Sequence, residues 1–446
     1  MLLGLILALV SIGDAPFPMP PIEESAIPAQ EFRIDAFGAR PDGSNARAAI
    51  AAGVKACVAA GGGRVVVPPG RWVTGAIRLA SNVALHLEKG SELVFTQDPS
   101  DYLPAVRTSW EGVECCNYAP CVSAFGATNV AITGEGTLRG FEGDYTNSLW
   151  YAWARPPAGG PQAMASTRRL YDWMSDGVPV ERRRLTDFPD PQTRPHLVQF
   201  NRCRNVLMDG FTVRESPFWT LHVYKCENVV ARHLDVEAHG HNTDGIDIES
   251  SRNCLVEDSR FNQGDDGFVI KAGRNRDGWE LAGPAENIVI RRCHVERGHT
   301  LLGIGSELSG GIRNVALYDC TVGKVYKLFF VKTNPRRGGF VENIHLANVR
   351  TDEVRSILSF GTGFYSRWKN FPDREIRLTR VDGLHVSHVD CNACDSVLDL
   401  VGDARLPARN VFVSDVVSRV VRGRPQVVEN IEGLRLSEPS SSVPAR

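Results

Sequence analysis

Apolar and polar residues alternate in short runs along most of the chain. Residues 287–295 read NIVIRRCHV, and many other stretches share this period-two order. A period of two sends successive side chains to opposite faces of an extended strand. The runs keep step with a recurrent asparagine and a following apolar residue: Asn82-Val83, Asn129-Val130, Asn205-Val206, Asn228-Val229, Asn253-Cys254, Asn287-Ile288, Asn314-Val315, Asn343-Ile344, Asn410-Val411 and Asn430-Ile431. From Asn205 to Asn343 the successive spacings are 23, 25, 34, 27 and 29 residues. Such a unit is too short for a four-stranded propeller blade of about 40–45 residues. It fits one coil of a parallel β-helix, with three strands and three turns. The predicted fold is therefore an all-β, single-stranded parallel β-helix. The asparagine fits an inward ladder, its side chain hydrogen-bonded to backbone at each turn.

Two stretches break the pattern. Residues 46–60, ARAAIAAGVKACVAA, have helical periodicity and good helix formers. A short N-terminal helix there would cap the open end of the solenoid. Residues 140–195 are rich in Trp, Arg, Gly and Pro and lie between two units. They read as a loop insertion that edges a groove, not as a second domain. The expected organisation is a signal peptide over 1–15, a Pro-rich lead-in over 16–31, a β-helix over 32–436 and a disordered tail over 437–446. A length of 446 residues would ordinarily suggest about three domains, but a solenoid adds coils, not cores.

Composition sharpens this picture at three points. The formal net charge of −2 argues against a general nucleic-acid binder. The apolar run Leu2–Val10 is too short to span a bilayer and suits the core of a secretory signal. With no later stretch able to span a membrane, a secreted or periplasmic location is expected. The 11 cysteines are an odd number, so at least one is unpaired within the chain. Cys203, Cys226, Cys293 and Cys320 keep the register of the repeat, which reads as stacked small core residues. The C-x-x-C of Cys391 and Cys394 has neither a second pair nor histidine spacing for zinc.

Chemistry concentrates in four segments. HNTDGIDIES carries Asn242, Thr243, Asp244 and Asp247, and NQGDDGFVIKAG carries Asp265, Asp266 and Lys271. Asp244 precedes Asp265 by 21 residues and Asp266 by 22, which is one coil. Adjacent coils lie about 4.8 Å apart, so the three carboxylates should meet on one face. There they repel, and at least one pKa should rise. Glycoside hydrolysis uses such a cluster, as acid and as base or nucleophile. Calcium binding uses one too, with about six to eight oxygens. His299 follows Asp266 by 33 residues and Lys332 follows His299 by 33. A histidine one coil beyond the cluster could tune the acid or contact substrate. A lysine one coil further offers a point charge to a sugar carboxylate, or to the aspartates themselves.

Together these residues resemble glycoside hydrolase family 28, the polygalacturonases and their relatives, over roughly residues 32–345. The family's signatures Asn-Thr-Asp, Gly-Asp-Asp, Gly-His-Gly and Arg-Ile-Lys stand here as Asn242-Thr243-Asp244, Gly264-Asp265-Asp266, Gly298-His299-Thr300 and Phe330-Val331-Lys332. The resemblance implies a right-handed β-helix and an inverting hydrolase acting on pectic polysaccharide. It implies Asp265 as general acid, Asp244 and Asp266 as activators of water, and His299 as the partner that keeps the acid in the right state. It implies Lys332 as a ligand of the galacturonate carboxylate, with Asn242, Lys271 and His222 lining the cleft. No metal, cofactor, nucleic acid or membrane partner is implied, and a monomer is expected. Two departures stand out: Thr300 in place of glycine, and Phe330 in place of an arginine that binds substrate carboxylate. The second loses a bidentate clamp and directs attention to rhamnogalacturonan or another branched pectin, unless Arg336 or Arg337 compensates. A non-catalytic carbohydrate-binding β-helix and a calcium-dependent polysaccharide lyase are the competing classes.

Overall fold

The computed structural model of the protein describes residues 9–154, 165–188, 193–363, 375–423 and 426–437. Its centre is a 28-stranded sheet, wound as a right-handed parallel β-helix from Glu31–Arg33 to Arg435–Ser437. Three stacks of parallel strands run along it. One stack passes through Val83–Leu87, Arg204–Asp209, Glu227–Arg232, Arg252–Glu257 and Ala285–Arg291. A second passes through Ser91–Phe95, Thr137–Arg139, Thr212–Arg214, Asp235–Ala238 and Arg260–Gln263. The third passes through Val122–Phe125, Val198–Asn201, Leu221–Tyr224, Ile246–Glu249 and Phe268–Lys271. From His294 onward two strands of a coil merge into one long strand, as in His294–Gly305 and Ile312–Lys332.

The period-two pattern explains the core. In the third stack Val198 and Phe200, Leu221 and Val223, Ile246 and Ile248, and Phe268 and Ile270 fill the solenoid interior, all with no exposed surface. The intervening residues face out and pair coil on coil. Gln199, His222 and Asp247 stand in one row, and Tyr224, Glu249 and Lys271 in the next. One face of this stack is thus apolar core and the other is a ledge of polar and ionisable groups.

The asparagine ladder is present, but its bonding differs from expectation. From Asn129 to Asn343 the Nδ2 of each asparagine donates to the Oδ1 of the asparagine one coil before, as in Asn205 to Asn129 at 3.1 Å, Asn228 to Asn205 at 3.0 Å and Asn343 to Asn314 at 2.8 Å. These bonds are amide to amide, whereas Asn410 donates to Asp382 and Asn430 donates to the backbone carbonyl of Gly402. Each of these residues also has a positive φ, for example 58° at Asn228. Asparagine tolerates this left-handed turn better than most residues, so one residue type both turns the chain and links the coils.

The capping helix spans Arg47–Ala59 and buries Ile50, Val54 and Cys57 against the first coils. All eleven cysteines are free and buried, and Cys203 and Cys226 stack coil on coil, with Cys203 N–H 3.3 Å from Cys226 Sγ. Of the expected signal peptide, residues 1–8 lie outside the described residues. Leu9–Val10 pairs with Ile22–Glu23, and Ile12, Phe17 and Ile22 are buried against Val230, Leu255, Val289 and Ala316 on the outside of the solenoid. The expected tail lies outside the described residues from 438 on.

The insertion contributes helices Leu149–Ala154 and Ala165–Ser175. It packs beside an antiparallel hairpin formed by Val106–Trp110 and Val113–Asn117, which stands apart from the main sheet. Leu170, Tyr171, Met174 and Leu185 of the insertion share one apolar cluster with Trp110 and Val113 of the hairpin. Hairpin and insertion together rise beside the polar ledge.

Candidate active site

The ledge, the turns before it and the hairpin bring the predicted residues together. Asn242 and Asp244 lie in the turn before Ile246–Glu249, and Asp265 and Asp266 in the turn before Phe268–Lys271. Lys332 ends its long strand two coils further on. These side chains, with Lys271, line one small pocket. His299 lines a neighbouring groove of about 600 Å³. It reaches back to the pocket by donating from Nδ1 to Asp265 Oδ1 at 3.0 Å. Asp265 therefore sits at the junction of the two spaces. His222 corrects the expectation: it is fully buried beneath the ledge and lines neither space. It faces outward as the LHVY alternation requires, but Gln199, Trp219 and Glu249 cover it.

The ionisable groups divide into three sets. In the first, burial would raise the Asp265 carboxyl, but the His299 hydrogen bond and charge outweigh it and hold Asp265 below its usual value. The same bond raises His299. In the second, Lys332 Nζ is ion-paired with Asp266 Oδ2. Burial lowers the lysine, yet Asp266 and Asp265 together raise it, so it stays charged. Asp266 Oδ1 is buried and without a hydrogen-bond partner among the described residues.

The third set lies deeper. Burial pushes Asp244 well up, helped by Asp247 and Asp265. Burial also carries Asp247 up to about 8. The two carboxyls face each other, and each lies near Lys271 Nζ, at 3.9 Å and 3.6 Å. Such a pair titrates as a unit. Lys271 also contacts Glu307 at 3.0 Å and sits 4.1 Å above the Trp219 ring. Burial opposes ionisation of Glu307, but Lys271, Arg274 and Arg337 hold it well below the usual range. Beneath, Thr108 donates to Gln199, Gln199 to His222 Nδ1, and His222 Nε2 to Glu249 Oε2 at 3.0 Å. Burial lowers His222 to about 3 and raises Glu249 to about 8. His222 is thus a neutral imidazole with its proton on Nε2.

The repeat did not expose several residues that finish the pocket: Glu111, Trp219, Arg274 and Glu307. Glu111 sits at the hairpin tip. Next to it, Gly112 has φ of 79°, and a Cβ there would lie 2.6 Å from Glu307 Cγ. Only glycine lets the tip approach this closely. Asp247 and Glu249 did carry a signal: in IDIE they alternate with two isoleucines and share the face of Asp244. Arg337 is buried, donating from Nε to Ser306 O and from Nη1 to Asn275 Oδ1, so it does not replace the clamp lost at Phe330. Phe330 packs on the outer row against Lys327 and Lys332, at 4.6 Å and 5.6 Å.

A parallel β-helix with three aspartates, a histidine and a lysine converging on its third stack defines a class of polysaccharide-acting proteins. Residues 184–393 match the model of Glycosyl hydrolases family 28. The structure is similar to that of a hyperthermoactive exopolygalacturonase from Thermotoga maritima, with a TM-score of 0.86 and 32% identity over 94% of both chains. In sequence the chain is 28% identical to a probable polygalacturonase of Vitis vinifera, over 64% of this chain and 52% of that one. It is 25% identical to an exo-poly-alpha-D-galacturonosidase of Dickeya chrysanthemi, over 73% of this chain and 55% of that one. The chain spans about half the length of these two curated relatives. It belongs to glycosyl hydrolase family 28.

Proposed function

We propose that the chain is an inverting glycoside hydrolase that cleaves α-linked galacturonic acid bonds in pectic polysaccharide, one unit or a short piece at a time from a chain end. The observation that carries this reading is the Asp265–His299 pair at the mouth of the pocket, beside an Asp266 that is ion-paired with Lys332.

The roles follow from where the protons are. A general acid must carry a proton at its working pH, yet Asp265 is held low. The resolution is that Asp265 and His299 own one proton together. In open water it rests on His299 as an ion pair. When sugar fills the pocket and displaces water, separated charges become costly. The neutral arrangement, with the proton on Asp265, then gains, and the acid is armed against the leaving oxygen. Asp266 Oδ1, buried and free, accepts a hydrogen bond from the attacking water. As the water oxygen bonds to the anomeric carbon, Asp266 takes its proton, the glycosidic bond breaks and Asp265 gives its proton to the leaving oxygen, while Asp244 orients the water. In inverting enzymes the acid and base stand about 6.5–9.5 Å apart to admit the water.

Lys332 serves chiefly to hold the Asp266 carboxylate in place through their ion pair. The charge for a polyanionic substrate comes from the groove, where among the described residues Arg297, Lys324, Arg355 and Arg422 stand with Glu353 and Asp395 against them. This offsets the missing clamp at Phe330 and favours unbranched polygalacturonate over rhamnogalacturonan. The carboxylates of the pocket already face Lys271, Lys332 and His299. They are thus balanced by the chain's own cations, unlike a calcium site, which needs about six to eight oxygens. Among the described residues no helix is long and apolar enough to cross a membrane. The proposed setting is outside the cytoplasm, which N-terminal sequencing of exported protein would test.

A product assay tests the whole reading. Polygalacturonate should yield monomer or dimer, with no product absorbing in the ultraviolet. Asp265→Asn should lower turnover by at least about 100-fold while keeping substrate binding. An unsaturated product, or near-normal turnover of that variant, overturns the proposal.

A further inference from the structure

Pocket and groove differ in what closes them. Along the solenoid axis the pocket begins at Trp219 and Asn242 and ends at Lys332. The groove runs beside it, from His239, Gln263 and Gly264 past His299 and on through the later coils to Arg422. The hairpin tip meets the pocket where the strands of the third stack end, beside Arg274 and Glu307. Arg274 donates from its backbone N–H to Gly112 O at 2.8 Å and from Nε to Glu111 O at 2.9 Å, which pins the tip. Glu111 Oε2 accepts from Tyr171 OH at 2.5 Å and lies 3.5 Å from Arg274 Nη2. Glu111 Oε1 has no protein partner among the described residues, and the side chain keeps 27% of its surface exposed, toward the pocket.

We infer that Glu111 is the group that recognises the terminal sugar, reading the free hydroxyl at the non-reducing end of the chain. The inference rests on the hydrolase reading above and names a specificity determinant within it. Three steps carry it. First, the acid marks the leaving-group side, and Asp265 is joined to His299 at the groove. The departing part of the polymer therefore lies in the groove, and the unit in the pocket is the one whose anomeric carbon receives water. Second, that unit lies between Asp265 and the hairpin tip, so its far edge, the non-reducing edge, meets Glu111. Third, a carboxylate with one free oxygen accepts hydrogen bonds and repels anions. It suits a hydroxyl and excludes the sugar's own carboxylate. In polygalacturonate only the terminal unit has a free hydroxyl at O4, because every other O4 is glycosylated. Glu111 thus rewards a chain end.

The test compares two galacturonate trimers. One has an ordinary non-reducing end. The other has a 4,5-unsaturated end, made by a lyase, and lacks the O4 hydroxyl. A hydrogen bond to a charged group corresponds to roughly 10–100-fold in rate or affinity. The wild-type protein should cleave the ordinary trimer with kcat/KM at least tenfold higher. Glu111→Ala should bring the ratio to within about threefold, and Glu111→Gln, which keeps one acceptor oxygen, should fall between. Equal wild-type kcat/KM on the two trimers overturns the inference without any variant, and so does a ratio unchanged in Glu111→Ala. If the wild type cleaves neither trimer, the hydrolase reading itself fails. The two failures are thus distinguishable.

Discussion

The hairpin that carries Glu111 holds a buried carboxylate ringed by cations, and removing its charge should loosen the pocket wall measurably. Glu114 is 1% exposed and accepts from Arg107 and Arg202 at 2.7 Å, from Lys225 at 2.5 Å and from Tyr224 OH at 3.0 Å. Burial alone would raise its pKa, but Lys225, Arg107 and Arg202 outweigh burial and bring it from 4.5 down to about 2. A folded-state pKa below the unfolded one contributes stability above the unfolded pKa, and this is lost as pH falls through the folded value. At 1.36 kcal/mol per unit, the shift is worth about 3 kcal/mol at pH 7. By the same relation somewhat less than half of this survives at pH 3. Glu114→Gln removes the charge and leaves three cations facing one another, within the range of about 3–5 kcal/mol for breaking a buried pair. Urea unfolding of both proteins at pH 7 and pH 3 measures the gap, and hydrogen exchange of the hairpin amides localises it. The gap should halve on acidification, with exchange fastest in residues 106–117. A gap below about 1 kcal/mol at pH 7, or one that does not change with pH, refutes the reasoning.

Other outcomes follow from the same geometry. The proton shared by Asp265 and His299 leaves as pH rises through the raised pKa of His299, so the alkaline limb of kcat belongs to the pair. His299→Gln should move that limb to lower pH and cut kcat about 100-fold, and an unmoved limb in the pH–rate profile would count against a shared proton. In the asparagine ladder, Asn228→Gly keeps the turn but loses the rungs, whereas Asn228→Ala loses both. Alanine should be the less stable by about 1–2 kcal/mol in denaturant unfolding, the cost of a left-handed residue with a Cβ.

The solenoid was legible because its physics is local. Alternation marks strands, and the asparagine marks a turn that must repeat in every coil. The cluster was legible for the same reason: residues one coil apart in sequence are neighbours in space, so Asp244, Asp265, Asp266, His299 and Lys332 could be placed on one face by counting. What counting missed lies off the lattice. Glu111 approaches from more than a hundred residues earlier, on a hairpin outside the repeat, and Arg274 emerges from a turn enlarged by the helix Asn275–Glu280. Trp219 is fixed by stacking on Phe218, at 5.1 Å between ring centres, and no period announces that contact. His222 shows the reverse error: its face was right, but depth depends on what covers a residue. The asparagine bonds were misassigned because sequence gives the spacing of rungs and not which acceptor lies nearer.

The N-terminal segment has a meaning for how the chain assembles. A stack of coils in which each touches only its neighbours could fray or grow one coil at a time. Here Asp14 accepts from Arg291 and from Tyr318 OH, both at 2.9 Å, 277 and 304 residues away, while Ile12, Phe17 and Ile22 bridge four successive coils. This early segment can dock only after the coils beneath it exist, because its partners lie hundreds of residues further along the chain. It acts as a latch that closes late, turning a ladder of separable steps into one structure that comes apart together.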